Sequence, residues 1–208
     1  MKLYTGVKRC LDFVAALGMV LVISPVLLLI CLGIKVTSPG PVFFKQRRIG
    51  KDKKEFEIYK FRTMRTDTPS DVPTHLFTDA QFFITPIGKI LRKTSLDELP
   101  QLINVLKGEM SFIGPRPALW NQFDLTELRD QYNVHSVLPG ITGWAQVNGR
   151  DEIPLKLKSE LDGYYVEHMS LALDIKILIM TFTTVLTSKG VAEGGSESIP
   201  EEEKKEEQ

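Results

Sequence analysis

Cysteine is nearly missing from this chain: Cys10 and Cys31 are the only two in 208 residues. There is no disulfide framework and no CxxC pair to hold a metal. Histidine is almost as sparse, with His75, His135 and His168 far apart, so a histidine metal cluster or a His-based nucleophilic relay has little support. Net charge is also absent, at +0 from 26 basic and 26 acidic residues, yet the balance hides an asymmetry. Residues 1–66 hold 13 Lys/Arg against 4 Asp/Glu, and residues 67–208 hold 13 against 22. A basic third of this kind suits nucleic acid, anionic lipid or a phosphorylated substrate, and charge alone does not separate them. No internal repeat is visible, and 43% hydrophobic with 25% charged residues is the composition of one folded domain.

What does separate the partners is an apolar run. From Phe13 to Ile34 the chain reads FVAALGMVLVISPVLLLICLGI, 22 residues without a charge, roughly 33 Å if helical throughout. That favours a lipid bilayer over nucleic acid. The run is too long for the core of a cleaved signal peptide, and no small-x-small cleavage pattern follows it. Ser24-Pro25 sits at its middle, where proline removes an intrahelical hydrogen bond and predicts a kink. Lys2, Lys8 and Arg9 precede the run, and Lys35, Lys45, Arg47, Arg48, Lys51, Lys53 and Lys54 follow it, so both flanks favour the cytoplasmic side. A re-entrant hairpin that enters, breaks at Ser24-Pro25 and returns satisfies both features, with the Ser24 hydroxyl serving a carbonyl freed by the proline. A kinked crossing helix is the alternative. Asp12, at the mouth of the run, either pairs with Lys8 or Arg9 or simply starts the helix.

The segment TSPGPVFFKQRRIGKDKKEFEIYKFRTMR predicts a β-hairpin, with VFF and FEIYKF as strands around a turn at GKDKK. Lys51, Lys53 and Lys54 read as a solvated face. Lys60 and Arg62 differ, because apolar neighbours flank them at the end of a strand, which suits cations with buried stems facing a pocket. Near the C-terminus LALDIKILIMTFTTVL predicts a helix too short to span, packed in the core or lying in the membrane interface. The expected fold class is α+β and mostly helical: a re-entrant membrane helix at 1–38, a compact cytosolic catalytic domain at 39–190 with a small β-hairpin and core or interfacial helices, and a disordered acidic tail at 191–208.

The stretch TSLDELPQLINVLKGEMSFIGPRP carries the chemistry. Leu99, Leu102, Ile103 and Leu106 keep helical spacing, Gly108 is placed to end the helix, and Pro100 puts its start close to Asp97 or Glu98. Taken alone, S-L-D-E fits a capping box, with Ser95 as cap and Glu98 reaching back. A helix N-terminus holds a carboxylate ionised and equally favours phosphate. Arg92 and Lys93 lie just upstream. Two prolines restrict the backbone around Arg116, so its guanidinium could be presented rigidly to phosphate oxygens; a surface salt bridge is the plainer role for it. An acid pair, cations and a phosphate-friendly helix end beside a membrane anchor point to phosphoryl chemistry on a lipid. Mg²⁺ would follow, with Asp97 and Glu98 as its carboxylates.

These residues resemble the bacterial sugar transferases, monotopic phosphoglycosyl transferases that initiate exopolysaccharide, capsule and glycoprotein glycan assembly. The resemblance runs from about Val7 to Gly190 and rests on Lys8-Arg9 with Asp12, Ser24-Pro25, FFKQRRIG, YKFRTM, LRKTSLDELPQLINVLKGEMSFIGPRP, LPGITGWAQVNGR and the pair Tyr164-Tyr165. It implies a Mg²⁺-dependent transfer of sugar 1-phosphate from a UDP-sugar to polyprenyl (undecaprenyl) phosphate at the cytoplasmic face of the bacterial membrane, with release of UMP. It also implies the re-entrant hairpin. Asp97 matches the nucleophile that forms a covalent phosphosugar intermediate, and Glu98 the second member of that dyad, helping to bind Mg²⁺ or to handle the acceptor's proton. Arg92 and Arg116 match cations near the phosphates, and Lys60, Arg62 and Arg150 join them as phosphate-binding candidates. Trp144, Gln146, Asn148 and Arg150 would line the nucleotide-sugar side; a tight structural loop with Trp144 packed inward is the other reading. Because the chain begins just before the hairpin, it reads as the minimal catalytic form. A membrane-anchored scaffold and a phosphodiesterase acting on nucleotide sugars are the competing classes, and a homodimer is one open oligomeric state.

Overall fold

The computed structural model describes residues 2–68, 80–149 and 153–186. The first element, α1 (Lys2–Thr37), takes in the whole apolar run. The chain stays helical through Pro25 as one element. Proline leaves the Leu21 carbonyl without its usual donor, and the Ser24 hydroxyl donates to it at 2.9 Å. That local repair is the one expected from the Ser-Pro pair.

One stripe of α1 faces the rest of the protein. Lys8, Asp12, Ala16, Val20, Ile23, Leu27, Ile30 and Ile34 recur every three or four residues and are buried or half-buried, whereas Val14, Leu21, Val22, Leu28, Leu29 and Val36 are exposed. The stripe meets different partners along its length. Asp12 accepts a hydrogen bond from the Ser111 hydroxyl at 2.7 Å and lies 3.8 Å from Lys8 Nζ, so it is a paired and buried charge. Ala16, Val20 and Ile23 pack with Leu102, Val105 and Met110. Leu27, Ile30 and Ile34 pack with Phe61, Leu91, Leu96 and Leu99.

Two small sheets complete the architecture. Antiparallel strands β1 (Phe43–Ile49) and β2 (Glu55–Phe61) form the expected hairpin, with Phe44 opposite Lys60. Helices α2 (Ala80–Phe83), α3 (Pro86–Lys93) and α4 (Gln101–Lys107) follow. Proline at the first helical position and the Thr85 hydroxyl, which accepts from Gly88 N at 3.0 Å, start α3. The second sheet pairs β3 (Ser111–Ile113) in parallel with β4 (Gly140–Thr142). Here Gly114, Gly140 and Gly143 bring two backbones together, because a Cβ on Gly140 or Gly143 would overlap backbone atoms of Gly114.

Helices α5 (Phe123–Asp130), α6 (Trp144–Gly149), α7 (Leu155–Glu167) and α8 (Leu171–Leu186) close the structure. A buried ion pair joins α5 to α7, with Arg129 donating to Asp162 at 2.5 and 3.0 Å. The α8 helix does pack inward through Ile177. Its Asp174 accepts from Tyr4, Lys8 and Tyr165 at 2.6, 2.7 and 2.9 Å, which ties α8 to the start of α1. Its opposite face exposes Leu171, Ile175, Leu178, Ile179 and Phe182. The protein is thus mostly helical with small sheets and one long apolar N-terminal helix. The acidic tail at 191–208 lies outside the described residues.

Candidate active site

The acid pair lies on a single 3₁₀ turn, Leu96–Glu98, anchored by Leu96 and Leu99 in the apolar cluster shared with α1. Helix α4 begins at Gln101, after Pro100, rather than at Asp97 or Glu98. Nor does the capping box form. Ser95 takes a left-handed conformation at φ 56° and makes no side-chain cap. Glu98 turns away toward two cations instead: Lys60 Nζ donates to its Oε1 at 2.6 Å and Arg116 Nη2 to the same oxygen at 3.3 Å. Bonds between ionised partners are about twice as strong as neutral ones, so the cations win the carboxylate from a backbone N–H. At the other end of α4, Gly108 closes the helix as expected, at φ 84° with its N–H directed to the Asn104 and Val105 carbonyls. Arg9 of α1 caps the same end by donating to Val105 O at 2.5 Å and Leu106 O at 3.1 Å.

The two carboxyls are driven apart. Burial alone would raise Glu98, but the charges and hydrogen bonds of Lys60 and Arg116 outweigh it and hold Glu98 at about 2. Asp97 moves the other way. Burial raises its pKa first, the neighbouring Glu98 charge adds to that, and the charges of Lys60 and Arg92 offset only part. Adjacent acids pushed in opposite directions divide into a clamped anion and a more basic, more nucleophilic carboxylate.

Of the other expected cations, Arg92 reaches the site from α3, its Nε donating to the Thr63 hydroxyl at 3.0 Å. Arg62 is held elsewhere: it is buried and donates to Ser38 O at 2.7 Å, under the turn at Gly40. Arg150 lies outside the described residues. Trp144 stacks on Tyr164 at 5.6 Å and carries Lys176 over its ring at 5.0 Å. Gln146 and Asn148 donate to the carbonyls of Ile141 and Trp144. This arrangement gives the GITGWAQ segment a loop-closing role behind the extended segment 114–117.

Two contributors escape sequence reasoning. Arg48 Nη1 donates to Pro117 O at 3.0 Å and Ile49 N to Ala118 O at 2.9 Å, so the β-hairpin grips the chain just past Arg116. Asn104, within the apolar spacing of α4, bonds across to β2. Its signal is a polar residue at a core position, and a single sequence does not say what it meets.

A carboxylate of raised pKa and a second one clamped by cations thus share one turn packed against the long apolar helix. Comparison with known proteins identifies the family. The bacterial sugar transferase family is matched over residues 3–188. A Bacillus subtilis protein named "Uncharacterized sugar transferase EpsL" is 44% identical over 184 residues, 88% of this chain and 89% of its own. The UDP-N-acetylgalactosamine-undecaprenyl-phosphate N-acetylgalactosaminephosphotransferase of Aeromonas hydrophila is 42% identical over 194 residues, 90% of this chain but 45% of that protein. The UDP-glucose:undecaprenyl-phosphate glucose-1-phosphate transferase of Escherichia coli is 45% identical over 181 residues, 84% of this chain and 39% of its own. The chain therefore spans less than half of the latter two relatives. The match over nearly the whole length of this chain places it among enzymes: it belongs to the bacterial sugar transferase family.

Proposed function

We propose that the protein transfers a sugar 1-phosphate from a UDP-sugar to undecaprenyl phosphate and so initiates exopolysaccharide or related glycan assembly. The relatives' names supply the substrate classes. The observation that carries the chemistry is the split pair, Asp97 with a raised pKa beside Glu98 fixed by Lys60 and Arg116. The Asp97 carboxylate attacks the β-phosphorus of the UDP-sugar; a P–O bond to Asp97 forms, and the bond to the UMP oxygen breaks. An oxygen of the lipid phosphate then attacks the same phosphorus and frees Asp97. Arg92, Lys60 and Arg116 offset the charge gathered around that phosphorus.

The donor set fits Mg²⁺. No group of three His, Cys, Asp or Glu forms a cage among the described residues, and Mg²⁺ is commonly held by one or two carboxylates together with substrate phosphates. Asp97 and Glu98 would hold it, and the ion would supply positive charge to the diphosphate.

The same reading places the enzyme at the cytoplasmic face as a monotopic protein. Both ends of α1 are tied to one body, Lys8 to Asp174 and Ser38 to Arg62, and the stripe between them never leaves that body. This supports a helix held along one side of the protein with its exposed apolar face turned to lipid. The exposed apolar face of α8 adds a second lipid-facing surface. Cysteines placed at Lys2 and Lys45 then react from the cytoplasmic side only; labelling from opposite sides would remove the re-entrant topology.

UMP release from a panel of UDP-sugars, with and without undecaprenyl phosphate, tests the reaction. Release that depends on lipid and is abolished in a folded Asp97→Asn variant is expected. Continued turnover by that variant would exclude the aspartate nucleophile, and sustained release without lipid would make the enzyme a hydrolase.

A further inference from the structure

Asn104 is an interior polar group that the site leaves unexplained. Its side chain is 0% exposed, on α4 between Leu102 and Val105 of the apolar cluster. Its amide is nonetheless fully used. Oδ1 accepts from Tyr59 N at 3.0 Å, and Nδ2 donates to Glu57 O at 2.7 Å and to Glu109 Oε2 at 2.8 Å. Glu57 and Tyr59 lie on β2, whose other edge is paired with β1. The amide therefore takes the place of a third strand, receiving an N–H and giving one to a C=O two residues apart.

Where this happens matters more than that it happens. Tyr59 immediately precedes Lys60, and Asn104 lies six residues past Glu98 in a segment of one 3₁₀ turn and one helix. The Lys60–Glu98 bridge, 2.6 Å long, joins β2 to the 3₁₀ turn that leads into α4. Lys60 has a flexible stem that does not fix its own ammonium, so a single placement on Glu98 depends on how β2 is held against α4 and the turn before it.

We infer that Asn104 is a positioning residue for the transfer reaction: its amide sets the spacing of β2 and α4, and through that spacing the placement of Lys60 on Glu98. The inference rests on the function proposed above for its kinetic consequence and on geometry alone for the placement. An aliphatic residue of similar size would fill the volume and leave Glu57 O and Tyr59 N without partners inside the protein. An aspartate would set a negative charge against Glu57 O and Glu109.

The test compares Asn104→Ala with Val105→Ala, its fully buried neighbour on the same helix, in the full chain in nanodiscs. In protein labelled with ¹⁵N-lysine, the Lys60 Nζ–H signal is assigned by its loss in Lys60→Met. It is expected to broaden or disappear in Asn104→Ala and to persist in Val105→Ala. In lipid-dependent UMP release, Asn104→Ala is expected to lose about 100-fold in kcat, the scale of a small misplacement at a reacting centre. KM should change little, and the double variant with Lys60→Met should be no slower than Lys60→Met alone. An unchanged Lys60 signal in Asn104→Ala, equal loss in Val105→Ala, or additive kinetics in the double variant would each overturn the inference. If the wild type releases no UMP from any donor, the proposed reaction fails, and the Lys60 signal decides the positioning role by itself.

Discussion

Replacing Lys60 with methionine tests the electrostatics of the site through stability, independently of substrate. Lys60 and Arg116 hold Glu98 at about 2, against an ordinary value of 4.5. At about 1.4 kcal/mol per pKa unit, the ionised Glu98 is favoured in the folded protein by on the order of 3 kcal/mol. The partners are mostly shielded, at 18% and 21% side-chain exposure, so solvent screening removes little of this. Lys60 is the stronger of the two cations, so Lys60→Met is expected to cost on the order of 2 kcal/mol at pH 7, a fall of about 4–8 °C in Tm for a chain of this size. Because the folded pKa is depressed, the contribution is complete above pH 4.5 and is lost as pH falls toward about 2. Thermal melts of wild type and Lys60→Met in detergent from pH 3 to pH 8 should therefore show a clearly smaller deficit at pH 3 than at pH 8. A deficit of equal size across that range would refute the reasoning, since loss of packing by the lysine stem carries no such pH dependence.

Breaking the buried pair at Arg129 should be more severe, because Arg129→Met leaves Asp162 as an uncompensated charge in the interior. About 3–5 kcal/mol is expected from chemical denaturation, while kcat per folded molecule is retained. Gly108→Ala forces a Cβ onto φ 84° and sets it 3.1 Å from Arg9 Nη2; a loss of about 1–2 kcal/mol in the same assay follows from the backbone strain.

Local features were the legible ones. The Ser24-Pro25 repair, the helix stop at Gly108 and the hairpin turning at Lys51–Lys53 each follow from a few adjacent residues. The acid pair was legible as residues but not as geometry. Its capping-box reading fails because Glu98 finds Lys60 and Arg116, 38 and 18 positions away, and no local pattern encodes a partner at that separation. The parallel pairing of Ser111 with Gly140 was hidden for the same reason. Asp174 puts a charge into the apolar-rich α8 and anchors that helix to Tyr4 and Lys8. A lone charge in an apolar run tells of burial only once its partners are known.

The one-sided stripe of α1 bears on how the enzyme can be handled. Its residues form one wall of the interior, lying against Leu102 and Val105 at one part and Phe61 and Leu91 at another. Cutting the helix off to obtain a soluble fragment would open both clusters to water, and each large side chain laid bare forfeits about 1.5–3 kcal/mol. A foreign anchor grafted in its place would hold the protein at a membrane and leave that wall unbuilt. The segment proposed to meet the membrane is thus also a wall of the interior, so the two roles cannot be engineered separately.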